Sequence, residues 1–169
     1  MTLRIALVVA LCFVLAVAES VVPFVLQLRS ARPDLLLVVV LYLALHDDVM
    51  QGAALSAAAG YFSDLTSATP VFLYTFLAVL TFVVLRIAGS GLKTEGGAQS
   101  AVVAFGASLV HALIAAAVFG FFTGTGVHFA PVPMLWSAFG TALAAPLVFL
   151  LLRRLDSNFV HAEESGGLR

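Results

Sequence analysis

The sequence predicts an all-α transmembrane bundle of about six helices. Of its 169 residues, 62% are hydrophobic and 10% are charged, whereas soluble domains average about 45–50% apolar and about 25% charged residues. Inside lipid, only helices and closed barrels satisfy every backbone polar group. The apolar residues form long runs, not the alternating segments of roughly ten residues that build a membrane barrel. A soluble fold is therefore excluded, and helices are favoured over a barrel.

The chain divides into six apolar segments at charged residues, prolines and glycine clusters. A helix needs about 20 residues to cross a hydrocarbon core of roughly 30 Å. The predicted spans cover residues 5–28, 33–46, 49–65, 70–87, 99–122 and 133–152. We therefore expect a six-helix transmembrane domain over residues 1–155 and a short polar tail over residues 156–169.

The first span has two interpretations. Arg4, the apolar residues 5–17 and the Ala-Val-Ala triplet at 16–18 have the composition of a secretory signal peptide. The apolar run resumes after Glu19 and continues to residue 28, however. This continuation favours an uncleaved first helix.

The second span, of 14 residues, is short for a full crossing, so spans two and three could form one long helix or a re-entrant pair. Asp47 and Asp48 separate them, and each carboxylate costs about 2.5–3.5 kcal/mol at the membrane centre. We therefore predict that both lie in a solvated turn. Pro33 in a first turn, followed by Asp34, is typical of a helix start, as is a Thr69 cap followed by Pro70 in the first turn of the fourth helix.

Positive charges predict the orientation, because cytoplasmic loops are enriched in Lys and Arg. Six spans place both termini on the same side of the membrane. A cytoplasmic N-terminus puts six cations inside, namely Arg4, Arg86, Lys93, Arg153, Arg154 and Arg169. It leaves only Arg29 and Arg32 outside. We therefore predict that both termini are cytoplasmic.

Small residues recur every four positions along the third span, at Gly52, Ser56 and Gly60, and Asp64 continues the series. Small residues at this spacing allow helix backbones to approach closely in lipid. The pattern predicts a packing seam within the bundle, or a seam that also positions Asp64 for a partner. Asp64 could alternatively stabilise the following turn through local hydrogen bonds.

Glu19 and His111 are the ionisable residues most expected within apolar spans, where such residues are candidates for function. Interhelical hydrogen bonding is the favoured interpretation for both, ahead of ion handling. No catalytic, cofactor-binding or metal-binding motif is recognisable in the sequence. The single cysteine, Cys12, excludes an intrachain disulfide. A net charge of -1 without a basic tract argues against a nucleic-acid partner.

The order of these features resembles the MreD family. A first helix is followed by Arg32-Pro33-Asp34 and an apolar run, and then by a Gly- and Ala-rich helix. That helix ends in residues 60–67, which are similar to the family's Gly-x-x-x-Asp-Leu-x-Ser-Gly signature, with Ser67 at its serine. Residues 146–154, an apolar helix end followed by two arginines, are also similar. Two positions depart from the family pattern, because Ala68 and Phe72 replace glycines.

The resemblance implies a non-enzymatic subunit of the bacterial cell-elongation complex, in the inner membrane. Its implied partners are MreC, the RodA glycosyltransferase, a class B penicillin-binding transpeptidase and, indirectly, the MreB cytoskeleton, besides membrane lipid. It also implies a fold similar to the substrate-binding subunits of energy-coupling-factor transporters. A vitamin-transporter subunit is therefore the alternative function, and it would need a pocket lined by convergent polar groups.

Overall fold

The computed structural model contains six α-helices in the part of the chain that it describes. It describes residues 2–25, 33–66, 72–89, 96–123 and 131–166, with side chains for residues 4–21, 33–66, 72–89, 96–121 and 131–157. The helices are α1 Thr2–Val25, α2 Leu35–His46, α3 Val49–Thr66, α4 Leu73–Ala88, α5 Gly97–Thr123 and α6 Pro131–Gly166. The predicted all-α fold with six helices is confirmed.

The helix boundaries lie close to the predicted ones, with one large difference. The second helix begins at Leu35, and Asp34 is its N-cap, so Pro33 precedes the helix instead of occupying its first turn. The fourth begins at Leu73 with Phe72 as N-cap; Thr69 and Pro70 lie outside the described residues. The sixth helix continues to Gly166, well beyond residue 152. The division between a domain and a tail at residue 156 stays a prediction.

The short helix α2 lies at the centre of the bundle. Among the described residues it contacts all five other helices. These five form a ring around it in the order α1, α3, α4, α5 and α6, and α6 closes the ring on α1. Packing around the ring is uneven, densest within the α5–α6 and α3–α4 pairs and thinnest between α6 and α1.

The sequence of α2 explains its central position. Every residue from Leu36 to Ala44 is buried, as expected for a helix that is apolar all round. Its 12 residues give a length of about 18 Å, well short of a hydrocarbon core of roughly 30 Å. Such a helix needs neighbours at both ends to satisfy its free backbone groups.

Three helices contain apolar stretches long enough to cross a membrane, at Arg4–Val21, Gly97–Phe121 and Pro131–Ser157. The helices α2 and α4 are shorter apolar helices. Large apolar side chains, including Val14, Val102 and Leu147, are exposed on the outside of the ring. Exposed apolar side chains of this size are stable in lipid and costly in water, and the chain is accordingly a membrane protein.

Candidate functional site

Two glycines of the predicted seam, Gly52 and Gly60, lie where α3 meets α4. A Cβ atom built on Gly60 would be 2.6 Å from Thr75 Cα and 2.6 Å from the Tyr74 carbonyl oxygen. One built on Gly52 would be 2.6 Å from the Phe82 ring. These distances are too short for a side chain, so Gly60 allows the α4 backbone to approach α3 at contact, and Gly52 makes room for the Phe82 ring. On this face the seam is filled by α4 of the same chain.

The other two seam residues differ in their surroundings. Ser56 is completely buried, and its hydroxyl has no hydrogen-bond partner among the described residues. Asp64, near the end of α3, accepts hydrogen bonds from the backbone N–H groups of Tyr74 (2.8 Å) and Thr75 (3.0 Å). Its Oδ2 also accepts from Thr75 Oγ1 at 2.6 Å. Asp64 therefore satisfies free N–H groups of the first turn of α4 and joins the two helices at this end.

Phe72, where the resemblance places a glycine, has a left-handed backbone conformation. Its φ of 70° makes it the one non-glycine residue with positive φ in the described part of the chain. It supplies no side-chain hydrogen bond to α4, and its ring is exposed. A side chain in this left-handed region costs roughly 1–2 kcal/mol. The Asp64 contacts lie immediately after Phe72, and we infer that they hold the backbone in this strained conformation.

The N-terminus of α2 lies in a polar cluster that includes the predicted residues Glu19, Asp34 and His111. Asp34 Oδ1 accepts from the Leu37 N–H at 2.7 Å, which is an N-cap hydrogen bond. The Asp34 N–H donates to Thr141 Oγ1 at 2.9 Å. We call Glu19, Asp34, Thr81, His111 and Thr141 the α2 N-terminal cluster. It joins α2 to α1, α4, α5 and α6.

His111 makes the interhelical contact expected from the sequence. Its Nδ1 lies 2.9 Å from Thr81 Oγ1 on α4, and its Nε2 lies 3.5 Å from Asp34 Oδ2. Glu19 of α1 lies beside the start of α2, and its buried Oε2 has no hydrogen-bond partner among the described residues. Asp34 satisfies a first-turn N–H group of α2, which compensates the positive end of the helix dipole.

The C-terminus of α2 lies in a second cluster, formed by Arg4, Tyr42, Asp47, Arg86 and Asp156, which we call the α2 C-terminal cluster. Arg4 forms ion pairs with both Asp47 and Asp156. The Tyr42 hydroxyl donates to Asp156 Oδ2 at 2.6 Å. Arg86 donates to the carbonyl oxygens of Ala44 (2.9 Å) and Asp47 (2.6 Å), which satisfies carbonyls at the end of α2.

This second cluster corrects the prediction that both aspartates of the α2–α3 turn are solvated. Asp48 is exposed, but the Asp47 side chain is only 3% exposed. Burial of a carboxylate is costly unless it is paired, and Arg4 supplies the pairing charge. The turn itself lies where it was predicted, between His46 and Val49.

Two predicted positions, Arg32 and Ser67, lie outside the described residues. The contacts of the other residues in the two clusters were not predicted. Thr81 and Thr141 carry no signal for these contacts, because threonine is common in transmembrane helices. Arg4, Arg86, Asp47 and Asp156 carry a weak one, because the predicted topology places them all at one end of the bundle. In both clusters, side chains bond to each other and to the ends of α2. The arrangement therefore positions the helices.

Comparison with known proteins gives one match. A family model described as rod shape-determining protein MreD matches residues 1–155. No curated protein and no solved structure matches the chain. The matched segment includes all six helices apart from the end of α6. It ends one residue before Asp156, which contacts Arg4 and Tyr42 in the α2 C-terminal cluster.

Proposed function

This chain belongs to the MreD family of rod shape-determining proteins, and from this we propose that it is a non-enzymatic subunit of the bacterial elongation complex that binds MreC. Membership of the family assigns the chain a role in determining rod shape. Recruitment of MreC, and through it organisation of peptidoglycan synthesis, is the specific role that we propose. The match over residues 1–155 is the observation that carries the proposal.

The arrangement of polar side chains supports a structural role over a chemical one. In the α2 N-terminal cluster, His111 and Asp34 bond to Thr81, to Thr141 and to the start of α2. In the C-terminal cluster, Arg4 is held between two carboxylates. Side chains engaged in this way fix helix positions, as a subunit that presents a defined surface requires. We propose RodA and a class B penicillin-binding transpeptidase as further members of the assembly, and MreB as an indirect one.

We further propose that the protein lies in the inner membrane with both termini in the cytoplasm. Arg4, Arg86, Arg153 and Arg154 all lie at the end of the bundle that contains the C-terminus of α2. This asymmetry supports a cytoplasmic location for that end. Fusions of alkaline phosphatase and of a fluorescent protein to the C-terminus test it. We expect fluorescence without phosphatase activity, and the reverse would overturn the orientation.

The first test is affinity purification of the tagged full-length chain from native membranes in mild detergent. We expect MreC, RodA and the transpeptidase to copurify. The Gly60→Leu variant is purified in parallel. Its new side chain would overlap α4, and it should recover less MreC. A correctly folded bait that recovers no MreC would overturn the proposal.

The same experiment tests the transporter alternative. A vitamin-transporter subunit should copurify with an ATPase and a transmembrane coupling subunit. The described contacts favour the elongation complex, because α2 fills the centre of the ring with buried side chains from Leu36 to Ala44. The polar groups that converge at each end of α2 are bonded mainly to one another and to its backbone.

A further inference from the structure

Glu19 lies on the buried face of α1. That face carries Val8, Cys12 and Ala16, which are spaced by four residues and almost completely buried, and Glu19 follows three residues later on the same side of the helix. The residue belongs to the apolar stretch Arg4–Val21. Its Oε2 atom is buried and has no hydrogen-bond partner among the described residues. The helix therefore places a carboxyl group inside the bundle at membrane depth.

The described charge that acts on Glu19 is a like charge, the carboxylate of Asp34 at the start of α2. The other helices that contact α1 are α3 and α6. On α3 the charged residue is Asp64, which is also negative and is bonded to α4. The arginines that the structure describes all lie at the opposite end of the bundle, namely Arg4, Arg86, Arg153 and Arg154. An ionised Glu19 would therefore have a like charge beside it and no described cation to pair with.

Asp34 and His111 are the other titratable groups of the α2 N-terminal cluster, and each has a partner. Asp34 Oδ1 accepts from the Leu37 N–H, and this cap at a helix N-terminus favours the ionised form of Asp34. His111 Nε2 lies 3.5 Å from Asp34 Oδ2, so a protonated His111 pairs with that charge. An ionised carboxyl group inside an apolar span is costly, and a neighbouring like charge disfavours it further. Glu19 is therefore the residue of the cluster that gains most from binding a proton.

We propose that the α2 N-terminal cluster is a pH-sensitive joint between α1 and α2, closed when Glu19 holds a proton. With Glu19 neutral and a protonated His111 beside the ionised Asp34, these three residues carry no net charge. As the pH rises, Glu19 releases its proton, its carboxylate repels Asp34, and α1 holds the start of α2 less firmly. The joint depends on contacts within this chain, so it operates whichever partner the protein binds.

The joint predicts how the stability of the protein depends on pH. In the unfolded chain Glu19 is solvated and ionised above about pH 4.3, whereas in the folded chain it keeps its proton to higher pH. The folded state then binds more protons than the unfolded state, so stability falls as the pH rises through the range in which the folded Glu19 ionises. The pairing of protonated His111 with Asp34 acts in the same direction.

Thermal unfolding of the full-length chain in a mild nonionic detergent, at about pH 5 and about pH 9, tests the joint. The variant is Glu19→Gln, which keeps the size of the side chain and removes its charge. We expect its Tm to match the wild type at the lower pH. At the higher pH its Tm should exceed the wild type by about 3–5 °C for each tenfold difference in the proton affinity of Glu19 between the folded and unfolded chains. Asp48→Asn is the matched control, because Asp48 is exposed, and it should keep the wild-type pH dependence.

Infrared absorption gives a second readout, which does not depend on unfolding. At about pH 7, where solvated carboxyl groups are ionised, the wild type should show the C=O band of a protonated carboxylic acid, and the band should disappear as the pH rises. It should be absent from Glu19→Gln and present in Asp48→Asn. A wild type without the band would overturn the joint even if Glu19→Gln did not fold, and so would the same pH dependence of the Tm in wild type and Glu19→Gln. Both results are expected if Arg29 or Arg32 neutralises Glu19.

Discussion

Two boundaries in this bundle, α3 with α4 and α6 with α1, are held by different means. At the first, backbone approaches backbone, because Gly60 has no side chain to separate Thr75 from it. At the second, packing is thin, and Arg4 bridges to Asp156. Close packing loses stability with each atom added, whereas a polar bridge fails when one partner is removed. The α3–α4 boundary therefore depends on close packing, and the α6–α1 boundary depends on a few polar contacts.

The largest expected effect is that of Gly60→Ala. The new Cβ would be 2.6 Å from Thr75 Cα and from the Tyr74 carbonyl oxygen, both backbone atoms that move only with α4. We expect a loss of about 3 kcal/mol in the free energy of unfolding, measured as a lower Tm in detergent. Gly106→Ala is the control, because a Cβ there has no atom within 4 Å. Equal losses in the two variants would contradict backbone contact between α3 and α4.

The second effect concerns the hydrogen bonds that Asp64 accepts from the first turn of α4. Asp64→Ala leaves the N–H groups of Tyr74 and Thr75 without their acceptor. We expect a loss of about 2 kcal/mol, at the upper end for a helix cap, measured again by thermal unfolding. Asp64→Asn keeps one carbonyl oxygen as acceptor and should lose less. If Asp64→Ala left the Tm unchanged, the hydrogen bonds of Asp64 would not contribute to stability.

The third prediction is a gain in stability. Phe72→Gly removes the cost of a side chain at φ 70°, and we expect an increase of about 1 kcal/mol, because glycine adopts this region readily. Phe72→Ala is the matched control, since it removes the same exposed ring but keeps a Cβ. It should give little or no gain. If the two variants raised the Tm equally, loss of the ring and not relief of backbone strain would be the cause.

The smallest loss of stability is expected at the thin boundary between α4 and α5. Thr81→Val removes the hydroxyl that contacts His111 Nδ1. The expected loss is about 1 kcal/mol, the usual net contribution of one hydrogen bond, measured by thermal unfolding. Thr81→Ser keeps the hydroxyl and should preserve most of the stability. A loss in Thr81→Val as large as that of Gly60→Ala would remove the distinction between the two kinds of boundary.

Several parts of the structure could be predicted from the sequence because their causes are local. The length of apolar runs gives the six helices, and Asp34 beside Pro33 gives the start of α2 to within two residues. The α2–α3 turn follows from the cost of two carboxylates in lipid. The positive φ of Phe72 could not be predicted in this way, because residues with a side chain rarely adopt that conformation.

The polar clusters could be predicted only in part. His111 was singled out because an ionisable residue within an apolar span needs a partner, and it has Thr81. The solvation of Asp47 was predicted wrongly, because charge alone assigns a carboxylate to water. Its partner Arg4 is 43 residues away in the chain, and Asp156 is 152 residues from Arg4. Separations of this size leave no pattern that identifies a pair.

The sequence alone was enough to identify a membrane protein with six helices, because the length of an apolar run is a property of contiguous residues. It was also enough to identify the family, because the motifs are short and contiguous. The tertiary structure decided that α2 is the centre of a ring, that the Gly60 face is occupied by α4, and that Arg4 neutralises Asp47. The physical reason is that an apolar helix in lipid can pack against many different neighbouring helices. The choice among them depends on close fit and on paired polar groups, which are brought together only when the whole bundle assembles.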